Sequence, residues 1–231
     1  MNSSLNTLII ARLLSVVLPW PIFIYGLSSN FTSFREKVQG LSGGAPNMGY
    51  IVKKTIVMVG MMGAGKTAVG RALAARLDVP FLDSDEEIVE AANMSIAEIF
   101  ERDGEAFFRA KESQVIERLL REEKGVLSTG GGAFLAEANR QMISQIGVSI
   151  WLNADLKLLW SRVKHKNTRP LLQTADPRAT LSEIYDARVP LYSQADLSVE
   201  ANSDYSIDEM AEAVLVALQS RPDVLEITDA R

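Results

Sequence analysis

One octapeptide constrains this chain more than any other feature. Gly60-Met-Met-Gly-Ala-Gly-Lys-Thr67 follows directly on a short, almost continuously apolar run, Thr55–Val59. It satisfies the pattern G-x-x-x-x-G-K-[ST], which wraps a polyphosphate in successive backbone N–H groups. Side chains must be missing where the backbone passes closest, and Gly60, Gly63 and Gly65 meet that demand. A helix expected from Lys66 to Leu77 turns its positive end toward the same phosphates. Lys66 then reaches the β- and γ-oxygens, and the Thr67 hydroxyl is placed to ligate Mg²⁺. The expected nucleotide-binding set is therefore Gly63, Ala64, Gly65, Lys66, Thr67 and Ala68.

The rest of the chain alternates between strand and helix. Short strands are predicted at Pro80–Leu82, Val126–Thr129, Val148–Leu152 and near Leu197–Glu200. Helices are predicted at Glu86–Ala92, Ser95–Arg102, Glu105–Glu123, Ala136–Ile146, Asp155–Lys164 and Ser206–Gln219. The Ser95/Glu98 pair forms a capping box at one of these helix starts. Such alternation implies right-handed crossovers and a parallel sheet covered on both faces. Residues 166–179 read as a polar, mobile loop, with His165 solvated at its base. The last helix, Ser206–Gln219, is expected to complete the domain.

Residues 1–48 differ in character. Leu13–Leu27 is apolar and uncharged but interrupted by Pro19 and Pro21, and a Ser/Gly/Asn-rich stretch follows. Two readings stand: a dispensable extension ahead of a working start at Met48, or a membrane or targeting segment. The phosphate-binding domain is expected at 49–231.

Composition narrows the chemistry. With 24 Lys and Arg against 29 Asp and Glu, the chain carries a formal charge of −5. That excludes a general phosphate-attracting surface of the kind that binds nucleic acid. Cysteine is absent and histidine occurs once. Disulfides, thiol catalysis, cysteine-ligated metals and clustered-histidine sites are thus excluded. No guanine-reading Asn-Lys-x-Asp occurs. The third strand ends in Ser128-Thr129-Gly130-Gly131-Gly132, whereas ATP-driven motors end it in an acidic residue. A small-molecule kinase is the expectation.

Asp83-Ser84-Asp85 closes the second strand, at the end of the sheet where ligands bind in open α/β folds. If Ser84 continues the strand, both carboxylates share a face. One can hold Mg²⁺ or its waters; the other can orient or deprotonate an acceptor hydroxyl. Helix capping is the competing role for either aspartate. Arg109 lies four residues after Glu105 and three before Glu112, so a surface ion pair competes with a place at a pocket wall. Gly130–Gly132 permit close backbone approach to a ligand. Arg188, ahead of Val189-Pro190-Leu191-Tyr192, reads alone as a capping cation.

Taken in order, GMMGAGKT, FLDSD, GEAFFRAKE, STGGGA, RPLL and RVPLY resemble the shikimate kinase family, over essentially everything from Thr55 to the last predicted helix. The resemblance implies an α/β three-layer P-loop fold, with a five-stranded parallel sheet, helices on both faces and a mobile lid. It implies transfer of the ATP γ-phosphoryl group to the 3-hydroxyl of shikimate, on the way to chorismate and the aromatic amino acids, with Mg²⁺. By matching position, Asp85 would bind the shikimate hydroxyls and act as base. Asp83 would act on Mg²⁺ through water, beside Thr67. Arg109 and Arg188 would clamp the shikimate carboxylate, and Gly131 would meet substrate through its backbone. Lys66 and Arg169 would neutralise the phosphates, and Arg162 would flank the adenine. A late adenine-contacting position falls around Asn202–Asp204. A kinase of another hydroxy acid, such as gluconate, and a non-catalytic nucleotide-binding module are the alternatives. A cytoplasmic monomer is expected, with no nucleic-acid partner and no membrane contact for the kinase domain.

Overall fold

A computed structural model of the chain describes Met48–His165 and Arg169–Asp229. The expectations for residues 1–47 lie outside these described residues.

Five strands form one parallel sheet: β2 (Ile56–Val59), β3 (Phe81–Asp83), β4 (Val126–Ser128), β5 (Val148–Asn153) and β6 (Leu197–Glu200), in the order β3-β4-β2-β5-β6. Every residue of β2 is buried, as is β5 up to its last residue. This explains why their sequences run apolar without alternation: both faces are covered. The chain leaves β2 for β3 on one side and returns through β4 before crossing to β5 on the other. Strand order therefore reverses at β2, and its carboxyl end opens into the crevice such reversals create.

Helices surround this sheet. They are α1 (Lys66–Leu77), α2 (Ser84–Ala92), α3 (Ile96–Glu122), α4 (Glu137–Ile146), α5 (Leu156–Val163), α6 (Pro177–Tyr192) and α7 (Ile207–Leu218). Helix α1 packs beside α7, and α3 beside α4. The main core joins Ile56, Met58, Leu73, Ile116, Leu120, Ile150, Leu152 and Leu215, each almost fully buried. A second, smaller cluster of Ile88, Ile99 and Phe108 holds α2 against the first half of α3. Gly104, at φ 82°, breaks α3 into the two helices read from the sequence. Both predicted capping residues bond: Ser95 Oγ accepts from Glu98 N, and the Glu98 carboxylate accepts from Ser95 N.

Four expectations need correction. Ser84 does not continue the strand; it opens α2, and the Asp83 carboxylate caps that helix by accepting from Asp85 N at 3.0 Å. The loop expected to reach Ala179 ends sooner. Pro170–Leu172 is a short 3-10 turn, and α6 starts at Pro177, capped by Asp176. Arg188 lies inside α6 rather than capping it, since Pro190 in the last turn does not stop this helix. Finally, Ser206–Gln219 is not the last element. β1 (Met48–Val52) pairs antiparallel with β7 (Leu225–Asp229), from Met48 opposite Asp229 to Val52 opposite Leu225. Among the described residues no helix is long and apolar enough to cross a membrane.

Candidate active site

The phosphate loop is built where β2 ends. Gly60, Gly63 and Gly65 have φ of 137°, 84° and 102°, a region L side chains rarely enter. Gly65 is the N-cap of α1, and no side chain caps that helix end. Its first-turn N–H groups are left to an anion. Ala64 N instead donates to Met61 O at 3.1 Å, closing the loop on itself. Lys66 Nζ donates to Gly60 O at 2.9 Å and to Met61 O at 3.3 Å, so the ammonium lies across the loop it serves. Arg162 Nη1 donates to Gly63 O and Ala64 O, at 3.2 and 3.1 Å, and buttresses the loop from α5.

Burial pushes the Lys66 ammonium down to about 8, with the Arg169 and Arg188 guanidiniums acting the same way and Asp85 and Asp83 opposing. Arg169 Nε is itself buried without a hydrogen-bond partner among the described residues. Two cations held this close, one with an unmet donor, are suited to a polyanion. Thr67 Oγ1 lies 3.4 Å from Ser128 Oγ at the end of β4, and Ser128 is in register with Asp83 of β3. Thr67, Asp83 and Ser128 line one cleft and offer only oxygen, a donor set that fits Mg²⁺. No group of three or more His, Cys, Asp or Glu able to hold a metal by itself occurs among the described residues.

That cleft, about 520 Å³, runs from the phosphate loop past Asp83, Asp85, Gly130, Gly131, Arg162 and Arg169 to Tyr205–Ile207 and Met210. Asn202 and Ser203 line a separate hollow with Asp155 and Ser161. Neither Asn202 nor Ser203 lines the cleft itself.

The acceptor side is assembled from separate elements. Asp85, in the first turn of α2, has its carboxyl pushed up by burial and by Asp83, with Lys66, Arg109 and Arg169 pulling it down. Burial and Glu86 likewise push Asp83 up, against two backbone hydrogen bonds and Arg71. Arg109 Nη1 donates to Glu112 at 2.8 Å, and its ring neighbours are Phe108 and, farther off, Phe100. Glu112 is 1% exposed, so this is no surface pair; its second oxygen, Oε1, has no hydrogen-bond partner. The glycine turn lies against Asp85, Glu112 and Arg109. A Cβ at Gly130 would lie 2.9 Å from Asp85 Oδ1, and one at Gly132 only 2.5 Å from Arg109 Nη1. Arg188 Nη1 and Tyr192 Oη both approach Gly131 O.

The structure therefore brings Lys66, Thr67, Asp83, Asp85, Arg162, Arg169 and Gly131 to one cleft, with Arg109 and Arg188 against its glycine turn. Ala68, exposed on α1, lines it too. Sequence reasoning gave no role to Tyr192 or Ser128 and saw in Glu112 only an ion-pair partner. Tyr192 is four residues after Arg188, one helical turn, and a helix assignment there would have paired them.

A phosphate-wrapping loop at the switch point of a five-stranded parallel sheet, facing a carboxylate and two arginines, defines a P-loop phosphotransferase of small molecules. A family profile described as shikimate kinase matches residues 62–219. The shikimate kinase of Ruegeria pomeroyi is 71% identical over 175 residues, covering 76% of this chain and 90% of that one. The shikimate kinase of Cereibacter sphaeroides is 66% identical, covering 76% and 87%. Among solved structures, shikimate kinase from Acinetobacter baumannii in complex with shikimate matches with a TM-score of 0.67 at 38% identity, over 72% of this chain and 93% of that one. The chain belongs to the shikimate kinase family.

Proposed function

We propose that the protein catalyses ATP-dependent phosphorylation of the 3-hydroxyl of shikimate, giving shikimate 3-phosphate and ADP for chorismate and aromatic amino acid synthesis. One observation carries the reading. Asp85 and Arg109 flank a single glycine turn, Arg188 reaches the same turn from α6, and Lys66 and Arg169 face Asp85 from the phosphate side.

The roles follow from this placement. Arg109 and Arg188 grip the substrate carboxylate, since a guanidinium fixes a planar acid by paired hydrogen bonds where lysine offers a point charge. Arg109 comes pre-aimed by the buried Glu112. Gly131 meets the ring through its backbone. Asp85 accepts from the 3-hydroxyl and takes its proton as the oxygen attacks the γ-phosphorus. Its carboxyl, raised by burial, is a better base than an exposed one. The bond from γ-phosphorus to the bridging oxygen breaks as the new one forms, and ADP leaves. Lys66 and Arg169 neutralise the charge that gathers on the phosphoryl oxygens, while Gly63–Ala68 and Arg162 hold the nucleotide. Mg²⁺, ligated by Thr67 and reached through water by Asp83, would screen the same oxygens when bound. The segment bearing Arg169 closes as a lid and limits wasteful hydrolysis. We assign the kinase to residues 49–231, acting as a cytoplasmic monomer with neither nucleic acid nor membrane as partner.

A coupled ADP-release assay with shikimate against gluconate tests the proposal. Rapid turnover on shikimate alone is expected. Turnover on gluconate, or ATP binding without turnover on either acid, would replace it with one of the two alternatives.

A further inference from the structure

Helix α6 delivers two side chains, one turn apart, to a single carbonyl. Tyr192 Oη donates to Gly131 O at 2.5 Å, and Arg188 Nη1 lies 3.5 Å from the same oxygen. Tyr192 is fully buried, its ring stacked on Phe134 with centroids 6.4 Å apart and planes 14° from parallel. Burial pushes the phenol above its ordinary value while Arg188 pulls it down, so the hydroxyl keeps its proton and remains a donor at neutral pH.

The peptide before is also tied, because Gly130 O accepts from Ala133 N at 3.2 Å. In a trans peptide the N–H points opposite to the C=O. Tying both carbonyls therefore fixes the directions in which Gly131 N–H and Gly132 N–H point. Three consecutive glycines have no side chains to hold these planes by themselves, and glycine is the residue with the widest choice of backbone angles. Arg109 crowds Gly132, and Gly131 lines the cleft, so these planes form part of the wall an acceptor would meet.

We propose that Tyr192 is a positioning residue for the acceptor pocket: its hydroxyl sets the plane of the Gly131–Gly132 peptide and so aims the backbone donors of this turn. The proposal rests on shikimate being the acceptor. Phe134 fixes the ring, the ring fixes the hydroxyl, and the hydroxyl fixes a peptide that cannot fix itself.

Tyr192→Phe removes one oxygen and keeps the stacked ring. The expected result is a shikimate Kd, by calorimetry, and a shikimate KM both raised roughly 5- to 20-fold, the size of one buried hydrogen bond. The ATP Kd and the kcat at saturating shikimate should stay within about two-fold of the parent, the split that marks positioning of a single ligand. Amide exchange at Gly131 and Gly132, followed in the ligand-free protein, should quicken. A shikimate affinity unchanged within two-fold, or an equal loss for both ligands, overturns the proposal. A parent protein that binds no shikimate overturns the acceptor reading instead. The amide exchange then decides the tie by itself, unchanged rates in Tyr192→Phe counting against it.

Discussion

The donor half of the cleft comes largely from one contiguous loop, whereas the acceptor half is gathered from separate elements. Eight consecutive residues, Gly60–Thr67, supply the phosphate loop, its glycines, its lysine and its hydroxyl. On the other side Asp85 comes from α2, Arg109 and Glu112 from α3, Gly130–Gly132 from the end of β4, and Arg188 and Tyr192 from α6. A ligand built of repeated, identical oxygens can be held by a repeated backbone donor. A chiral acid with one reacting hydroxyl needs separate groups in separate directions, which a short peptide cannot supply. If this division is right, substitutions on the two sides should separate cleanly in their effects on the two substrates.

Asp85→Asn should give the largest and most one-sided effect. Loss of the base predicts a fall in kcat of roughly 10³-fold. The ATP Kd should hardly move, because the amide keeps the size of the acid and the phosphate loop is untouched. A kcat within ten-fold of the parent would show that Asp85 merely binds. On the donor side, Lys66→Met should lower kcat by roughly 10²- to 10³-fold through lost charge on the γ-phosphoryl group. Shikimate binding, measured without ATP, should survive it.

Legibility in the sequence divides along the same line. The phosphate loop could be read outright, since its residues are contiguous and each glycine answers a backbone demand. The sheet was readable because β2 and β5 are buried on both faces and run apolar. The acceptor residues could be read only together and in order. Arg109 beside two glutamates looks like any exposed helix; nothing local says that Glu112 is buried. Tyr192 was hidden because Pro190 suggests a helix end, whereas this proline is accommodated in the last turn of α6. Met48–Val52 is absent from the predicted strands because its partner, Leu225–Asp229, lies at the other end of the chain. Long-range pairing of two short strands leaves no local trace.

Arg109→Lys sharpens the division from the acceptor side. The lysine keeps the charge but loses the paired geometry and the fit to Glu112. The shikimate KM should rise roughly 10- to 100-fold, the range of one or two charge-assisted hydrogen bonds, with kcat reduced less. An equal rise in the ATP KM would blur the two halves into one.

A pH series probes the donor half. The Lys66 ammonium titrates near 8 in the free protein. Bound phosphates favour the charged lysine, so the complex holds more protons than the free protein above that pH. By linkage, ATP binding must weaken as pH rises through about 8, by up to ten-fold per unit. Shikimate binding should not follow this curve. Lys66→Arg, which stays charged, should flatten it; a flat profile in the parent would show that the loop lysine is not held near neutrality.

The smallest effect should come from removing residues 1–47, for every residue given a role on either side of the cleft lies at Gly60 or later. kcat/KM for both substrates should stay within two-fold. The boundary is informative because it is sharp. A cut at Ile56 would also remove β1, which pairs with β7 through five residue pairs. It would remove Lys53, whose N donates to Val224 O at 2.7 Å and whose Nζ lies 2.6 Å from Glu226. Leu225, 3% exposed, and the core-packed Tyr50 and Val52 tie this ribbon to the main core. Each kcal/mol lost from a domain of this size lowers Tm by roughly 2–4 °C, so the longer cut should cost several degrees. A chain starting at Met48 that melted as early as one starting at Ile56 would mean that the ribbon does not hold this end of the fold.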